Sequence, residues 1–208
     1  SFVLKTKCIH LGAQFGCPKI ISIKNRIIFI MGVSGVGKST IGHLLSAHLD
    51  VPFFDGDDFH PEANVLKMSK GEPLNDDDRF GWLKSLNALA IKQSKIKGCV
   101  IACSALKKNY RDILFAQIEH NTKWVFLKGS FDQIKDRIDN RKDHFVRSDL
   151  LHSQFAILEE PQSAIEIDIS LSPVNIVKMI GMELEHKSEF GLFGLGVMGK
   201  SLSRNLAN

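Results

Sequence analysis

The first 49 residues of this 208-residue chain contain no aspartate or glutamate, although five lysines and arginines fall within the first 26. A basic, acid-poor leader has the charge of a transit peptide, but this one is also poor in the serine and arginine that such peptides carry. We therefore expect residues 1–24 to be a disordered or non-native leader, with targeting as the alternative, and the protein to be cytoplasmic.

Cysteine and long apolar runs are also scarce. The four cysteines lack metal-site spacing, and Cys99 and Cys103 lie in an apolar, strand-like run that predicts buried thiols. No apolar run approaches the roughly 20 residues of a membrane-spanning helix, so we expect no membrane partner. Basic residues exceed acidic ones only by 27 to 23, without a dense basic stripe, which argues against nucleic acid.

The chain does contain the motif G-x-x-x-x-G-K-S, between the apolar run 27–30 and an apolar-patterned stretch from Ile41. The order strand, glycine-rich turn and helix is that of a phosphate-binding loop, whose backbone N–H groups bind phosphate oxygens. Lys38 would reach the β- and γ-phosphates of ATP, and the Ser39 hydroxyl would ligate Mg²⁺. The predicted nucleotide-binding residues are Gly32, Val33, Ser34, Gly35, Val36, Gly37, Lys38, Ser39 and Thr40.

Beyond this loop, short apolar runs alternate with helix-like stretches. That alternation predicts an α/β fold, a parallel sheet with helices on both faces, in which ligands bind at the carboxyl ends of the strands. The further predicted strands are Val51–Phe54, Cys99–Cys103, Trp124–Leu127 and Ile165–Ile169. The further predicted helices are Phe80–Lys95, opened by the acidic residues 76–78, and Lys107–Glu119, Phe131–Asn140 and Val174–Glu185.

The second predicted strand ends in the acidic turn Asp55-Gly56-Asp57. Of two carboxylates at a strand end, one could lie near Mg²⁺ and the other could accept the hydrogen bond or proton of a substrate hydroxyl. A solvated acidic turn is the alternative, since Asp-Gly is common in turns. The neighbouring phosphate loop favours the functional interpretation.

Two basic segments follow later strands. Lys107, Lys108 and Arg111 lie in the first turn of a predicted helix, where cations are unfavourable, and this indicates an anionic ligand. The basic stretch 137–147 predicts a mobile lid over Asp139–Leu150, in which Arg141 serves the transferred phosphoryl group. The alternative for this stretch is a solvated helix end.

Several strings of this chain, taken in order, resemble the bacterial-type gluconate kinases. The most specific are G-E-P-L-N-D-D-D-R over residues 71–79 and C-S-A-L-K-x-x-Y-R-D over residues 103–112. The phosphate loop itself is common to many kinases. The strings 55–61, 127–129, 141–145 and 154–161 continue the resemblance, which covers roughly residues 26–180.

The resemblance implies ATP-dependent phosphorylation of D-gluconate on its 6-hydroxyl, by a usually dimeric enzyme with a nucleoside-monophosphate-kinase-like fold. The related shikimate kinases suggest Asp55 for the Mg²⁺ shell, Asp57 for the substrate hydroxyl and Arg79 for the substrate carboxylate. Another small-molecule P-loop kinase, acting on shikimate or a different sugar acid, is the alternative. A nucleotide-binding module without catalysis is a further one.

Gluconate is a carboxylate with a polyhydroxyl chain, so its site needs a cation, preferably the planar fork of an arginine, and hydrogen-bonding groups for the hydroxyls. The candidate cations are Arg79, Arg111 and Lys107. The candidate hydroxyl partners are Asp57, His60 and Asn75.

The last segment does not fit a gluconate kinase. Gly194, Gly196 and Gly199 form G-x-G-x-x-G after a short apolar run, which resembles the start of 6-phosphogluconate dehydrogenase. We therefore divide the chain into the leader, a kinase domain over 25–186 and a truncated dinucleotide-binding start over 187–208. This order suggests the kinase part of a fusion, and we expect no cofactor to bind the tail.

Overall fold

Five short apolar runs form the strands of a parallel sheet in the computed structural model, which describes residues 25–140 and 148–185. The strand order is β2-β3-β1-β4-β5. The strands are β1 (Ile27–Met31), β2 (Phe53–Asp55), β3 (Cys99–Ala102), β4 (Thr122–Lys128) and β5 (Ile165–Asp168). The predicted α/β architecture is confirmed.

Helices connect the strands along the described chain. They are α1 (Lys38–Leu49), α2 (Glu62–Ser69), α3 (Asp76–Ser94), α4 (Lys108–Phe115), α5 (Phe131–Asp139), α6 (Ser148–Ile157) and α7 (residues 173–185). Short 3₁₀ turns occur at Gly56–Phe59 and Glu119–Asn121. Among these residues, no helix has both the length and the apolar character needed to cross a membrane.

The central strand β1 is buried on both faces, which explains its unbroken apolar sequence. Ile28 and Ile30 pack into a core with side chains of α1, α5, α6 and α7. Phe29 and Met31 pack into a second core on the other face, with side chains of α3 and α4. The sheet therefore has helices on both faces, as predicted.

The strand register places three loops side by side at the carboxyl edge of the sheet. Ile30 of β1 pairs with Ala102 of β3, and Asp55 of β2 pairs with the same Ala102. The phosphate loop, the turn after β2 and the loop after β3 therefore begin next to one another, where ligands bind in parallel sheets.

The acidic start of α3 forms as the sequence suggested. The Asn75 side chain accepts a hydrogen bond from the Asp78 backbone N–H (2.8 Å), and Asp78 accepts one from the Asn75 N–H (3.0 Å). This reciprocal pair is a capping box, and it satisfies two backbone donors at the helix start. The helix begins four residues before the predicted start at Phe80.

Two helices were not predicted. The single buried residue of α2 is the polar Asn64, so the helix has no apolar stripe to reveal it. Helix α6 overlaps the predicted lid Asp139–Leu150, whose residues 141–147 lie outside the described residues, as do the leader and the tail.

The two cysteines of the third strand region are buried free thiols, as predicted. Burial raises the pKa of Cys99 and of Cys103 to about 12.

Candidate active site

The phosphate loop joins β1 to α1 through three glycines with positive φ. Gly32, Gly35 and Gly37 have φ of 143°, 83° and 102°, a backbone region that L side chains rarely adopt. No side chain caps α1 at Gly37, so its first N–H groups remain available to an anion. All nine predicted nucleotide-binding residues lie on this one turn and the start of α1.

The Lys38 ammonium lies inside the curve of the loop. Its Nζ donates to the Gly32 and Val33 carbonyl oxygens at 3.0 and 3.1 Å. Burial lowers the pKa of Lys38, whereas the nearby Asp57, Cys103 and Asp55 side chains act in the opposite direction. The loop thus holds a positive charge where a phosphate would bind.

Ser39 and Asp55 are brought together as the magnesium prediction requires. The Ser39 hydroxyl donates to Asp55 Oδ2 at 2.6 Å, and Asp55 Oδ1 accepts from the Asp57 N–H at 3.2 Å. A hydroxyl and a carboxylate are the hard oxygen donors that Mg²⁺ uses, with phosphates and water completing its shell. Within the described ranges no cluster of three His, Cys, Asp or Glu could hold a metal. A magnesium ion shared with nucleotide phosphates fits this pair better than an ion bound by protein alone.

An open cavity of about 670 Å³ adjoins this pair. Ser39, Asp55 and Asp57 contribute its polar wall. The remaining lining residues are His43, Phe53, Phe54, Asp58 and Phe59. Both carboxylates of the acidic turn therefore border space next to the phosphate loop.

His60 lies between the acidic turn and the cations of the next helix. Its ring stacks on Trp82 with centroids 4.2 Å apart, and the indole Nε1 donates to the Gly56 carbonyl oxygen at 2.7 Å. Burial lowers the pKa of His60, with Asp57 raising it and Arg79 lowering it further. The lowered pKa favours the neutral form of His60, and the ring is close enough to both Asp57 and Arg79 to be influenced by their charges.

Arg79 and Lys107, predicted from distant strings, meet at one carboxylate. Lys107 Nζ lies 2.9 Å from both Asp76 oxygens, Arg79 Nη1 lies 3.9 Å from Asp76 Oδ1, and the Tyr110 hydroxyl donates to the same oxygen. We call these four residues the Asp76 cluster. Hydrogen bonds from Tyr110 and Lys107 lower the pKa of Asp76, and the bond to Asp76 raises that of Lys107. The cluster keeps one net positive charge.

Two of the predicted substrate residues form hydrogen bonds with backbone groups of the protein instead. Arg111 is only 7% exposed and donates through Nη1 to the Ala105 and Leu106 carbonyl oxygens at 2.9 and 3.1 Å. It holds the loop after β3, in which Ala105 has φ 44°. Asn75, as described above, caps α3. Arg141 lies outside the described residues, so its catalytic role stays a prediction.

Gln154 of α6 contacts the phosphate loop, although no pattern in the sequence predicts a chemical role for it. Its Oε1 accepts from the Ser34 N–H at 2.6 Å, and its Nε2 donates to Ser34 Oγ at 2.9 Å. The only signal in the sequence was its place in the string 154–161. No local pattern links it to a loop 120 residues away.

These features define a P-loop kinase: a parallel sheet, a phosphate loop with a buried lysine and an adjoining Ser–Asp pair. Residues 34–163 match the family model described as Shikimate kinase. The thermoresistant gluconokinase of Escherichia coli is 45% identical over 146 residues, covering 70% of this chain and 82% of that protein. A probable gluconokinase of Schizosaccharomyces pombe is 39% identical over 155 residues, covering 72% and 80%.

The solved structures agree with this result. The crystal structure of a gluconokinase from Sinorhizobium meliloti 1021 matches with a TM-score of 0.74 at 35% identity, covering 82% of this chain and 97% of that one. The chain belongs to the gluconokinase family, and its P-loop domain is of the shikimate kinase type. It is an enzyme, a kinase.

Proposed function

We propose that this chain transfers the γ-phosphoryl group of ATP to the 6-hydroxyl of D-gluconate, giving 6-phosphogluconate and ADP. Two groups of side chains carry the proposal: Asp57 acts on the charge of Lys38, and Arg79 and Lys107 share the Asp76 carboxylate. His60 is close enough to Asp57 and to Arg79 to respond to both charges. Gluconate has its 6-hydroxyl and its carboxylate at opposite ends, so the two groups of side chains match the two ends of this substrate. The names of the relatives support the same substrate.

In this proposal the protein contributes mainly position and charge, as phosphoryl transfer requires. Lys38 stabilises the negative charge that develops on the transferred group, and Asp57 accepts the hydrogen bond or proton of the attacking hydroxyl. Ser39 and Asp55 would hold Mg²⁺, which supplies charge neutralisation and orients the phosphates.

The proposal assigns substrate recognition to the exposed edge of the site. Arg79 and Lys107 bind the carboxylate, and His60 exchanges hydrogen bonds with the hydroxyl chain. Arg111, being buried on backbone carbonyls, positions the loop that carries Lys107. Three further expectations stay predictions: a homodimer, a cytoplasmic location and a kinase domain over residues 25–186. Sedimentation velocity would measure whether the protein is a dimer.

The test is ADP release with ATP and Mg²⁺, comparing D-gluconate with other sugar acids and with shikimate. We expect gluconate to have the highest kcat/KM and Lys38→Ala to lose at least about 100-fold in kcat, as when other electrostatic stabilisers are removed. Lys178→Ala, which removes an exposed lysine of α7, is the matched control and should retain full activity. A higher kcat/KM for shikimate or another acid, or near-normal turnover by a folded Lys38→Ala protein, would contradict the proposal.

A further inference from the structure

The contact between Ser34 and Gln154 joins the phosphate loop to helix α6. The two residues exchange a complementary pair of hydrogen bonds, with the Gln154 amide oxygen on the Ser34 N–H and the Gln154 amide nitrogen on the Ser34 hydroxyl. A carboxamide is suited to this geometry because it presents an acceptor and a donor side by side without charge.

Apolar packing holds the two partners in place. Leu151, one helical turn before Gln154, is 1% exposed and belongs to the same core as Val33 and Val36 of the loop. A Cβ at Gly35 would lie 2.6 Å from Ile138 Cγ1, so α5 also lies directly against the loop. The hydrogen-bonded pair is therefore part of a packed interface and not a loose surface contact.

Ser34 is adjacent in the chain to the groups that hold the catalytic cation. Lys38 Nζ is bound by the carbonyl oxygens of Gly32 and Val33, and the Val33 carbonyl belongs to the same peptide unit as the Ser34 N–H. An acceptor on that N–H fixes the plane of the peptide and hence the direction of the carbonyl. Gln154 thus acts on the position of the Lys38 ammonium through one peptide group.

We propose that Gln154 is a positioning residue for the γ-phosphate end of ATP, acting through the Ser34 peptide on Lys38. This inference deepens the proposed function and depends on ATP as the phosphoryl donor. Lys38 reaches the β- and γ-phosphates, so a misplaced ammonium weakens ATP more than ADP and slows phosphoryl transfer. The gluconate carboxylate, held at the Asp76 cluster, is unaffected.

Two variants test the proposal in different ways. Gln154→Leu keeps the side-chain bulk and removes both hydrogen bonds. Gln154→Glu keeps an acceptor for the Ser34 N–H but adds a negative charge near the γ-phosphate end. Ser153→Ala is the matched control, since Ser153 is exposed on the same helix and its hydroxyl donates to the Leu150 carbonyl oxygen at 2.8 Å.

The measurements are the affinities for a non-hydrolysable ATP analogue and for ADP, both with Mg²⁺, together with kcat, the KM for gluconate and the melting temperature. For Gln154→Leu we expect the ATP-analogue affinity to fall about tenfold, because the Ser34 N–H loses its acceptor and Lys38 its position, a loss of the size of about one hydrogen bond. For Gln154→Glu, which keeps that acceptor, we expect a fall through repulsion between the added carboxylate and the γ-phosphate. We expect the ADP affinity and the gluconate KM to stay within about twofold, and kcat to fall. Gln154→Glu should keep the wild-type melting temperature, and Ser153→Ala should match the wild type throughout.

A merely structural role would produce different results. Equal losses for the ATP analogue and ADP, a rise in gluconate KM alone, or no change in either variant would overturn the inference. These outcomes presuppose a wild-type protein that releases ADP with gluconate. Absence of that activity in the wild type would instead refute the proposed function.

Discussion

Arg79 and Lys107 share the Asp76 carboxylate, so each cation is already oriented before any substrate arrives. Their side chains are 25% and 27% exposed, which leaves both accessible to a ligand. Arg79 also lies over the Tyr110 ring, 5.7 Å from its centroid, and this contact restrains the guanidinium plane. Such restraint suits recognition of a carboxylate, because a fixed fork forms two parallel hydrogen bonds at little further entropic cost.

Replacing Arg79 with lysine tests this recognition at constant charge. Arg79→Lys keeps the cation but loses the bidentate fork, so we expect the KM for gluconate to rise about tenfold. The KM for ATP should stay within about twofold, and steady-state kinetics with each substrate varied in turn measures both. A larger effect on ATP would place Arg79 on the nucleotide side of the site.

Local strings in the sequence predicted which side chains lie together at the site, while their chemical roles stay predictions. Lys38, Ser39 and Asp55 belong to short strings with a fixed backbone geometry, and the structure brings them together. The structural role of Arg111 could not be told apart from the roles expected of Lys107 and Lys108, because nothing in the string shows which of these cations donates to backbone carbonyl oxygens of the loop after β3. The role of Gln154 could not be predicted, because its partners, the N–H and the hydroxyl of Ser34, lie 120 residues away and no local pattern links the two positions.

At the scale of elements, hydrophobic pattern located the strands and most helices. Strands buried on both faces, such as β1, read as unbroken apolar runs, and the observed strand ends agree within two residues with the predicted ones. Helix α4 ends at Phe115, four residues before the predicted end, and a 3₁₀ turn follows. Helices whose buried face is small or polar, such as α2, show no helical periodicity of apolar residues. The hydrophobic pattern of the sequence therefore could not locate them.

Alanine substitutions at two glycines, one within α3 and one just before β3, have opposite expected effects on stability. Gly98, just before β3, has φ 81°, and a Cβ there would lie 2.2 Å from the Arg26 carbonyl oxygen. Gly98→Ala therefore forces an alanine into the left-handed backbone region and adds a clash with the Arg26 carbonyl oxygen. We expect it to lower the free energy of unfolding by about 2–4 kcal/mol. Chemical denaturation measures the change.

Gly81→Ala in α3 is the matched comparison. Nothing lies within 4 Å of a Cβ at this helical position, so the substitution gains helix propensity without a clash. We expect stabilisation of about 0.5–1 kcal/mol. Stabilisation by Gly98→Ala, the sign expected of Gly81→Ala, would show that the Gly98 backbone is not constrained as the structure has it.

At the scale of the whole molecule, the described elements form one layered unit that carries the site at the carboxyl edge of its sheet. Both faces of the sheet are covered by helices within residues 25–185, and α7 completes the core on the β1–α1 side through Ile176, Ile180 and Leu184. The phosphate loop, the acidic turn, the Asp76 cluster and Gln154 all come from this region. The match to the shikimate kinase model, residues 34–163, also falls inside it.

Deleting residues 187–208 tests whether the kinase depends on the segment with the dinucleotide-binding fingerprint. We expect kcat and the KM for gluconate to stay within about threefold of the full chain, because the residues of the proposed mechanism precede residue 160. Neither protein should bind NADP, since a dinucleotide site also needs the following strands and the acidic residue about 20 positions beyond the glycines. The measurements are the ADP-release assay and NADP titration of both proteins. Saturable NADP binding by the full chain that is lost on deletion would make the fingerprint a working site, and a tenfold loss of kinase activity would make the segment part of the enzyme.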